Sequence, residues 1–453
     1  MSKLSKASND LAPLSNIKSA LKFSTVEGMA YGSFLGFGDH YIIAFAIALG
    51  TNSFEIGILS AVPGFLASLA QLLDAQLVRR LKSRKAVILT FALIQGLIFL
   101  PILTLAFLNL NRPGWWLVLL TSVYSICGAM ISPAWGSLMA DIVPDRLRGR
   151  YFSARGRLST LALVVTFLLA GIFLNYMVNR ALWGFAVLFG IAVVTRLISW
   201  VLLTKLYDKP GQVGDQKSSK RADNSREVSR SNLGRYMLFL FAMAFAVNIA
   251  SPYFTVYELR ELKFSYTTFA TLETVFSLAM FFTITHWGRA ADRAGNLKLL
   301  IISSALIPFV PLIWMVSSNV LYLSLVQVIT GIAWAGFNLC SVNYLYDATT
   351  TDNRTRYLAY FNAGAGTATG LGALIGGYIM PSIPAIRGSH ILTLFSISGI
   401  LRGLVCLVFL LGLKEVRKVG KVPAAELFHI LTGGRPVVRH TSHRKQMHIH
   451  HHE

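Results

Sequence analysis

Twelve times along this chain an apolar run gives way to a short polar or charged stretch. The runs are roughly 20 residues long, enough to carry a helix across the roughly 30 Å hydrocarbon core of a bilayer. They cover 25–50, 54–76, 86–108, 115–139, 157–178 and 182–206, then 234–257, 264–287, 298–317, 320–344, 357–382 and 389–413. No alternating in–out strand pattern competes with them. Within a bilayer the backbone must satisfy its own hydrogen bonds, so runs of this kind fold as helices. The expectation is an all-α polytopic membrane protein.

Charge distribution supports that reading. Charged residues make up 14% of the chain, against about 25% in soluble domains. A net charge of +22 would suit a nucleic-acid binder, but the basic residues flank apolar runs and no soluble basic domain exists to hold a duplex. With the N-terminus inside, the outer loops hold only Arg112, Arg180, Arg260, Lys263 and Arg387, while Arg196 and Arg402 lie mid-span. The remaining 35 of 42 basic residues fall on the inner side, as cytosolic loops require. Both termini are therefore expected in the cytosol, in the plasma (inner) membrane of a bacterium. The first apolar run is too long for a signal-peptide core and reads as a retained span.

The runs divide six and six around a polar, Ser/Gly-rich stretch. The expected organisation is an N-terminal segment 1–24, a six-helix bundle 25–206, a flexible linker 207–233, a second six-helix bundle 234–413, and a basic His-rich tail 414–453. The two bundles repeat. At an offset of 206, Asp141, Arg148, Arg150, Tyr151, Gly171 and Arg196 meet Asp347, Arg354, Arg356, Tyr357, Gly377 and Arg402. At an offset of 212, Tyr41 of GDHY meets Tyr253 of ASPY. Duplicated bundles place a binding site at the interface of their halves.

The stretch HWGRAADRAGNLK (286–298) follows span eight. It resembles the G-x-x-x-D-R-x-G-x-x-K loop of the major facilitator superfamily, with Gly288, Asp292, Arg293, Gly295 and Lys298 in the motif positions. The matching first-half loop, LDAQLVRRLKSRK (73–85), is degenerate, with Arg79 in place of the acid and Lys82 in place of the second glycine. DIVPDRLRGR (141–150) is similar to the family's inner loop after span four. The resemblance covers roughly residues 25–413. It implies two pseudo-symmetric six-helix bundles and a secondary transporter that alternates access by rocking them about a central site. Asp292 and Arg293, with Asp141, Arg150, Asp347 and Arg356, would then bias conformation rather than add static stability. Span five lacks the Gly/Pro-rich motif of some proton-driven exporters, so the resemblance does not set direction.

Ionisable residues deep in spans are costly, roughly 2.5–3.5 kcal/mol on insertion scales, and usually face a cavity or a partner. Asp39 in span one and Glu273 in span eight are the two deep acids. The resemblance implies that both spans line the cavity. Desolvation favours the neutral acid, so such groups suit proton exchange. On a continuous helix Gly32, Gly36 and Asp39 share a face and His40 points about 100° away, bordering the cavity or touching a neighbour. Asn248 and Asn338 are candidate hydrogen-bonding groups and Trp334 a stacking face. Arg196 and Arg402 are expected to snorkel at the periphery. Gly366, Gly370, Gly372 and Gly376 read as packing positions, since GLGALIGG (370–377) lacks the strand and spacing of a nucleotide loop.

Cys127, Cys340 and Cys406 lie in apolar runs and form no metal-site spacing. His450, His451 and His452 at the end of the tail are weak metal candidates. The leading expectation is a proton-coupled secondary transporter of a small organic solute. It would be a monomer in the lipid bilayer, without cofactor, enzymatic chemistry or nucleic-acid partner. A transition-metal transporter with a His-rich buffer and a non-transporting sensor or scaffold are the alternatives.

Overall fold

A computed structural model describes residues 14–71, 80, 83–206, 230–350, 354–417, 419 and 422–431. Most of the linker, residues 1–13 of the N-terminal segment, the tail with His450, His451 and His452, and much of the 73–85 loop lie outside the described residues.

The described chain is helical, and its twelve long elements follow the twelve apolar runs. The first half holds α1 (Leu14–Phe37, resumed as Ile42–Ala48), α2 (Ser53–Gln71), α3 (Arg84–Leu97 with Phe99–Thr104), α4 (Pro113–Ile142), α5 (Asp145–Tyr176) and α6 (Ala181–Thr204). The second holds α7 (Arg230–Asn248 with Ser251–Val256), α8 (Tyr266–Ala294), α9 (Asn296–Leu306 with Phe309–Trp314), α10 (Val320–Ala348), α11 (Arg354–Ile379) and α12 (His390–Leu410). A short α13 (Ala424–Leu431) follows. Ten of the twelve are long and apolar enough to cross a membrane by length and composition. The exceptions are α1, which is interrupted, and α11, which is rich in glycine and alanine. Serine and asparagine start several helices: Ser83, Ser265, Asn319 and Ser389 each accept from a backbone N–H in the first turn, satisfying donors the helix leaves orphaned.

The repeat is visible in the backbone. α1 breaks at Gly38 and α7 at Ile249–Ala250, just before Pro252. α3 breaks at Ile98 ahead of Pro101, and α9 at Ile307–Pro308 ahead of Pro311. Proline and glycine are the expected causes of such kinks. The loop contacts repeat too. Arg84 at the start of α3 pairs with Asp141 at the end of α4 at 2.7 Å. In the second half Asn296 at the start of α9 donates to Asp347 at the end of α10, also at 2.7 Å.

Alternating helices put the start of α1 and the end of α12 on one face, here the terminal face. Packing differs sharply between the two faces. The two cores near the terminal face each draw on a single half. The two cores near the far face are shared: Phe269 and Ala270 of α8 join the first-half core, and Ile56 of α2 joins the second-half core. Hydrogen bonds across the halves follow the same division. Arg260 donates to the Thr51 carbonyl at 2.7 Å, Tyr253 to the Ser53 carbonyl at 3.3 Å, and Thr267 to the Gly171 carbonyl at 3.4 Å, all at the far face. Among the described residues, Asn362 to Gln71 at 3.2 Å crosses near the terminal face. The molecule is therefore closed at its far face.

Glycines set the closest approaches. Gly372 and Gly376 of α11 lie against the α7 backbone at Phe245 and Ile249, while Gly366 and Gly370 lie against Ser68 and Ala61 of α2. These are packing positions, as expected, and they let α11 lie between its own half and the other.

Arg196 and Arg402 do not snorkel. Each is only 2% exposed. Arg402 donates to Ser398 Oγ at 3.0 Å and to the carbonyls of Ile307 and Val247 at 3.3 Å. Those two carbonyls flank the breaks in α9 and α7, where they accept from the N–H three residues on, Val310 and Ala250, and Arg402 supplies a second donor to each. The sequence pattern missed this because hydropathy does not register the acceptors at a kink.

Candidate functional site

A cavity of about 550 Å3 lies between the halves, around the breaks in α1 and α7. From the first half it is lined by Asp39, His40, Ile43, Ser60 and Phe167, and from the second by Asn248, Ser251, Phe254, Glu273, Gln327 and Trp334, among others. Four of the six candidates drawn from the sequence reach it from helices where they were expected: Asp39, Glu273, Asn248 and Trp334.

His40 reaches it as well, at its border and against a neighbouring helix, as expected. α1 ends at Phe37, Gly38 adopts φ −113° and ψ −80°, and Asp39–Tyr41 form a single 3-10 turn. The 100° separation of neighbouring side chains no longer applies, and both Asp39 and His40 line the cavity. The His40 ring lies 5.5 Å from that of Phe167 on α5. The shared face of Gly32 and Gly36 is directed elsewhere, packing against Ser159 and Thr166 of α5. Asn338 is the outlier. It is exposed on α10 and is absent from the cavity lining, because it lies one helical turn beyond Trp334 toward the terminal face.

Hydrogen bonding fixes the polar lining. Asn248 Nδ2 donates to the Ala244 carbonyl at 2.8 Å and reaches Thr369 Oγ1 at 3.3 Å. Gln327 Nε2 donates to Glu273 Oε1 at 3.4 Å. The Tyr124 phenol sits beside Asp39. Neither Asp39 nor Glu273 has an ion-pair partner among the described residues.

Two buried features escaped the sequence reading. Glu258 falls just past the apolar run of span seven. A wide π-type turn, Tyr257–Glu261, carries it inward. It is 1% exposed, and neither carboxyl oxygen has a hydrogen-bond partner. It lies within electrostatic reach of Glu273. The second feature is a polar network in the first half. Glu27 of α1 pairs with Arg155 of α5 at 2.7 Å and accepts from Ser199 of α6 at 2.9 Å. Arg196 donates to the same Ser199 at 2.8 Å and lies over the Tyr31 ring. These groups border a separate cavity of about 200 Å3. A sequence signal existed for it: Glu27 and Tyr31 are one turn apart inside the first apolar run.

The loop motif engages the segment that follows α12. Glu415 Oε2 accepts from Leu297 N at 2.7 Å, beside Gly295 with its φ of +90°. Lys298 donates to the Val422 carbonyl at 2.9 Å. Asp292 lies 3.7 Å from Arg417 and Arg293 lies 3.4 Å from Glu426, while Gly288 packs near Leu339. In the first-half loop Arg148 donates to the Ala140 carbonyl at 2.8 Å, and Arg150 is exposed. The backbone of Arg356 belongs to the first turn of α11; its side chain lies outside the described residues. Among the described residues no group of three or more His, Cys, Asp or Glu is arranged to hold a metal ion.

A model of the family described as Major Facilitator Superfamily matches residues 29–271 and 236–447. Solved structures share the fold. The nucleoside transporter NupG superposes with a TM-score of 0.63 at 12% identity, covering 88% of this chain and 100% of that one. The partially occluded inward-open xylose transporter XylE from E. coli gives 0.62 at 16% identity, covering 90% and 100%. A bacterial homologue of the human lysosomal transporter Spinster, inward-facing and occupied, gives 0.61 at 14%, covering 87% and 95%. Among curated protein sequences none matches this chain.

Proposed function

The chain belongs to the Major Facilitator Superfamily, and from that premise we propose that it is a proton-coupled secondary transporter of a small organic solute. One observation carries the reading. The cavity between the halves receives one acid from each half, Asp39 and Glu273, neither with an ion-pair partner among the described residues, at the level where the α1 and α7 helices break. An acid held in an apolar cavity is suited to exchange a proton as its surroundings change with access. Rocking the halves would expose the pair to the two membrane faces in turn.

The asymmetry of packing fits one end point of that cycle. The far face is sealed by contacts between the halves, and the cores at the terminal face are separate. With the termini in the cytosol, as the basic loops argue, this conformer is inward-facing. The bacterial inner membrane, a monomeric state and the gating role of the loop residues belong to the same proposal.

The test has two stages. A ligand panel scored by thermal stabilisation of the purified protein finds a solute, because a ligand that binds only the folded state raises its apparent stability. Flux of that solute into proteoliposomes is then driven by a pH gradient. Asp39→Asn and Glu273→Gln are expected to abolish pH-driven flux while keeping the fold. Unchanged flux in both variants would remove the coupling assignment.

A further inference from the structure

We propose that the solute taken by the central cavity is an organic cation carrying aromatic or other apolar groups. The inference rests on reading the cavity as a transport site and names the chemistry of its cargo.

The balance of charge in the wall favours a cation. Asp39 and Glu273 line the cavity without an ion-pair partner among the described residues. Arg402 also lines the space, and its guanidinium is committed: three of its nitrogens donate to Ser398 Oγ and to the carbonyls of Ile307 and Val247. Those acceptors are neutral, so Arg402 stabilises the broken helices without being neutralised by Asp39 or Glu273. The hydrogen bonds also hold it against the wall. An anionic cargo would have to compete with the kinks for Arg402 and face the two acids. A cation meets both acids directly.

Aromatic rings supply much of the apolar part of the wall. Phe167, Phe254, Phe269, Trp314 and Trp334 contribute to it. Their rings are fixed by packing: Phe254 stacks on Phe395 at 4.1 Å and meets Trp314 edge-on at 5.1 Å, and Trp334 meets Phe337 edge-on at 5.4 Å. Ring faces attract cations most strongly where water is excluded, and they bury the apolar part of the same molecule. Neutral hydrogen-bonding groups, Ser60, Asn248, Ser251, Thr255, Gln327 and Thr330, stand among the rings and can meet the polar part of such a molecule. The volume of about 550 Å3 suits a drug-sized ligand.

Tetraphenylphosphonium and tetraphenylborate separate these chemistries, since they match in shape and differ in sign of charge. Binding is read by thermal stabilisation and by quenching of tryptophan fluorescence in the detergent-purified full chain. Tetraphenylphosphonium is expected to stabilise the protein and tetraphenylborate to have no effect. Asp39→Asn and Glu273→Gln should each weaken tetraphenylphosphonium binding about tenfold, the scale of one hydrogen-bonded charge contact. Asp39→Glu and Glu273→Asp, which keep the charge, should recover most of it and guard against misfolding. His40→Gln should leave the preference for the cation intact. Equal or stronger stabilisation by tetraphenylborate, or unchanged tetraphenylphosphonium affinity in both neutral variants, would overturn the proposal. Flux separates it from the transport reading. Acid-dependent binding of tetraphenylphosphonium without pH-driven uptake or extrusion leaves the ligand class standing and removes the coupling. Proton-linked flux of another solute with no tetraphenylphosphonium binding does the reverse.

Discussion

The phenol of Tyr41 donates to the backbone carbonyl of Phe167 at 2.8 Å. Its repeat partner Tyr253 donates to the carbonyl of Ala373 at 3.3 Å, and Ala373 is the repeat partner of Phe167 at the offset of 206. Each tyrosine follows a helix break and reaches the fifth helix of its own half. Gly171 and Gly377, again repeat partners, leave room beside the two phenols for the opposite half to approach. The tyrosine common to GDHY and ASPY is thus a structural element of the far-face closure, and Asp39 and His40 are what the first half adds to it.

Tyr41→Phe removes one buried hydrogen bond and Tyr253→Phe the donor that Ala373 and Ser53 share, each a net loss of about 1 kcal/mol. The closed far face should open more often. A single cysteine at position 40, in a protein with Cys127, Cys340 and Cys406 replaced, reports this. A membrane-impermeant maleimide added at the far face should label it faster in both variants, and equal rates would show that the phenols do not hold the closure.

Gly377→Ala tests the same closure from the packing side. Its added methyl would sit 2.5 Å from Tyr253 Oη and 3.2 Å from the Ser53 carbonyl, distances that force a helix to move. Overpacking of this kind costs roughly 1–3 kcal/mol. Far-face labelling should rise and the melting temperature of the purified protein should fall.

Glu27→Gln leaves Arg155 without its carboxylate in a place where the two side chains are 5% and 16% exposed. Removing one member of a buried pair costs about 3 kcal/mol, and much of that is the charge left behind. A clear drop in melting temperature is expected. The double variant Glu27→Gln/Arg155→Met should recover part of it, and a double variant worse than the sum of the singles would contradict the pairing argument.

Glu258→Met should raise thermal stability, because it replaces two buried, unpartnered oxygens with an apolar side chain of similar length. If the carboxyl serves transport, the same variant loses pH-driven flux while gaining stability. A variant that melts lower would show that Glu258 has a partner in the folded protein.

Glu415→Ala should destabilise the α8–α9 turn by roughly 1–2 kcal/mol, since the carboxylate accepts a charge-assisted bond from Leu297 N. Arg417→Ala should change the melting temperature little, because its pairing with Asp292 is exposed at both ends and surface pairs contribute little. Comparing the two melting curves separates a backbone cap from a surface contact in the same segment.

Much of the fold was legible because the membrane imposes a local rule. Each apolar run must become a helix whatever its neighbours do, so the twelve spans, the six-plus-six division and the repeat could be read residue by residue. Asp39 and Glu273 were legible for the same reason, since an acid in hydrocarbon needs an explanation wherever it sits. The alanine and glycine pattern of α11 foretold close packing without naming the partner helices.

What only the tertiary structure decided turns on direction and on partners distant in sequence. The break at Gly38 put Asp39 and His40 on one 3-10 turn, and helical periodicity holds only while the helix does. A π-type turn carried Glu258, one residue past the apolar run, inward. Arg196 and Arg402 are buried because acceptors inside the bundle, Ser199 and the carbonyls of Val247 and Ile307, meet their guanidinium groups. Asn338 stayed outside the cavity for want of one helical turn. Hydropathy sums along the chain, and so the sequence by itself determined the number, order and symmetry of the helices. The lining of the cavity depends on which side chains the packed helices bring face to face, and that is settled only when the two halves fold and meet.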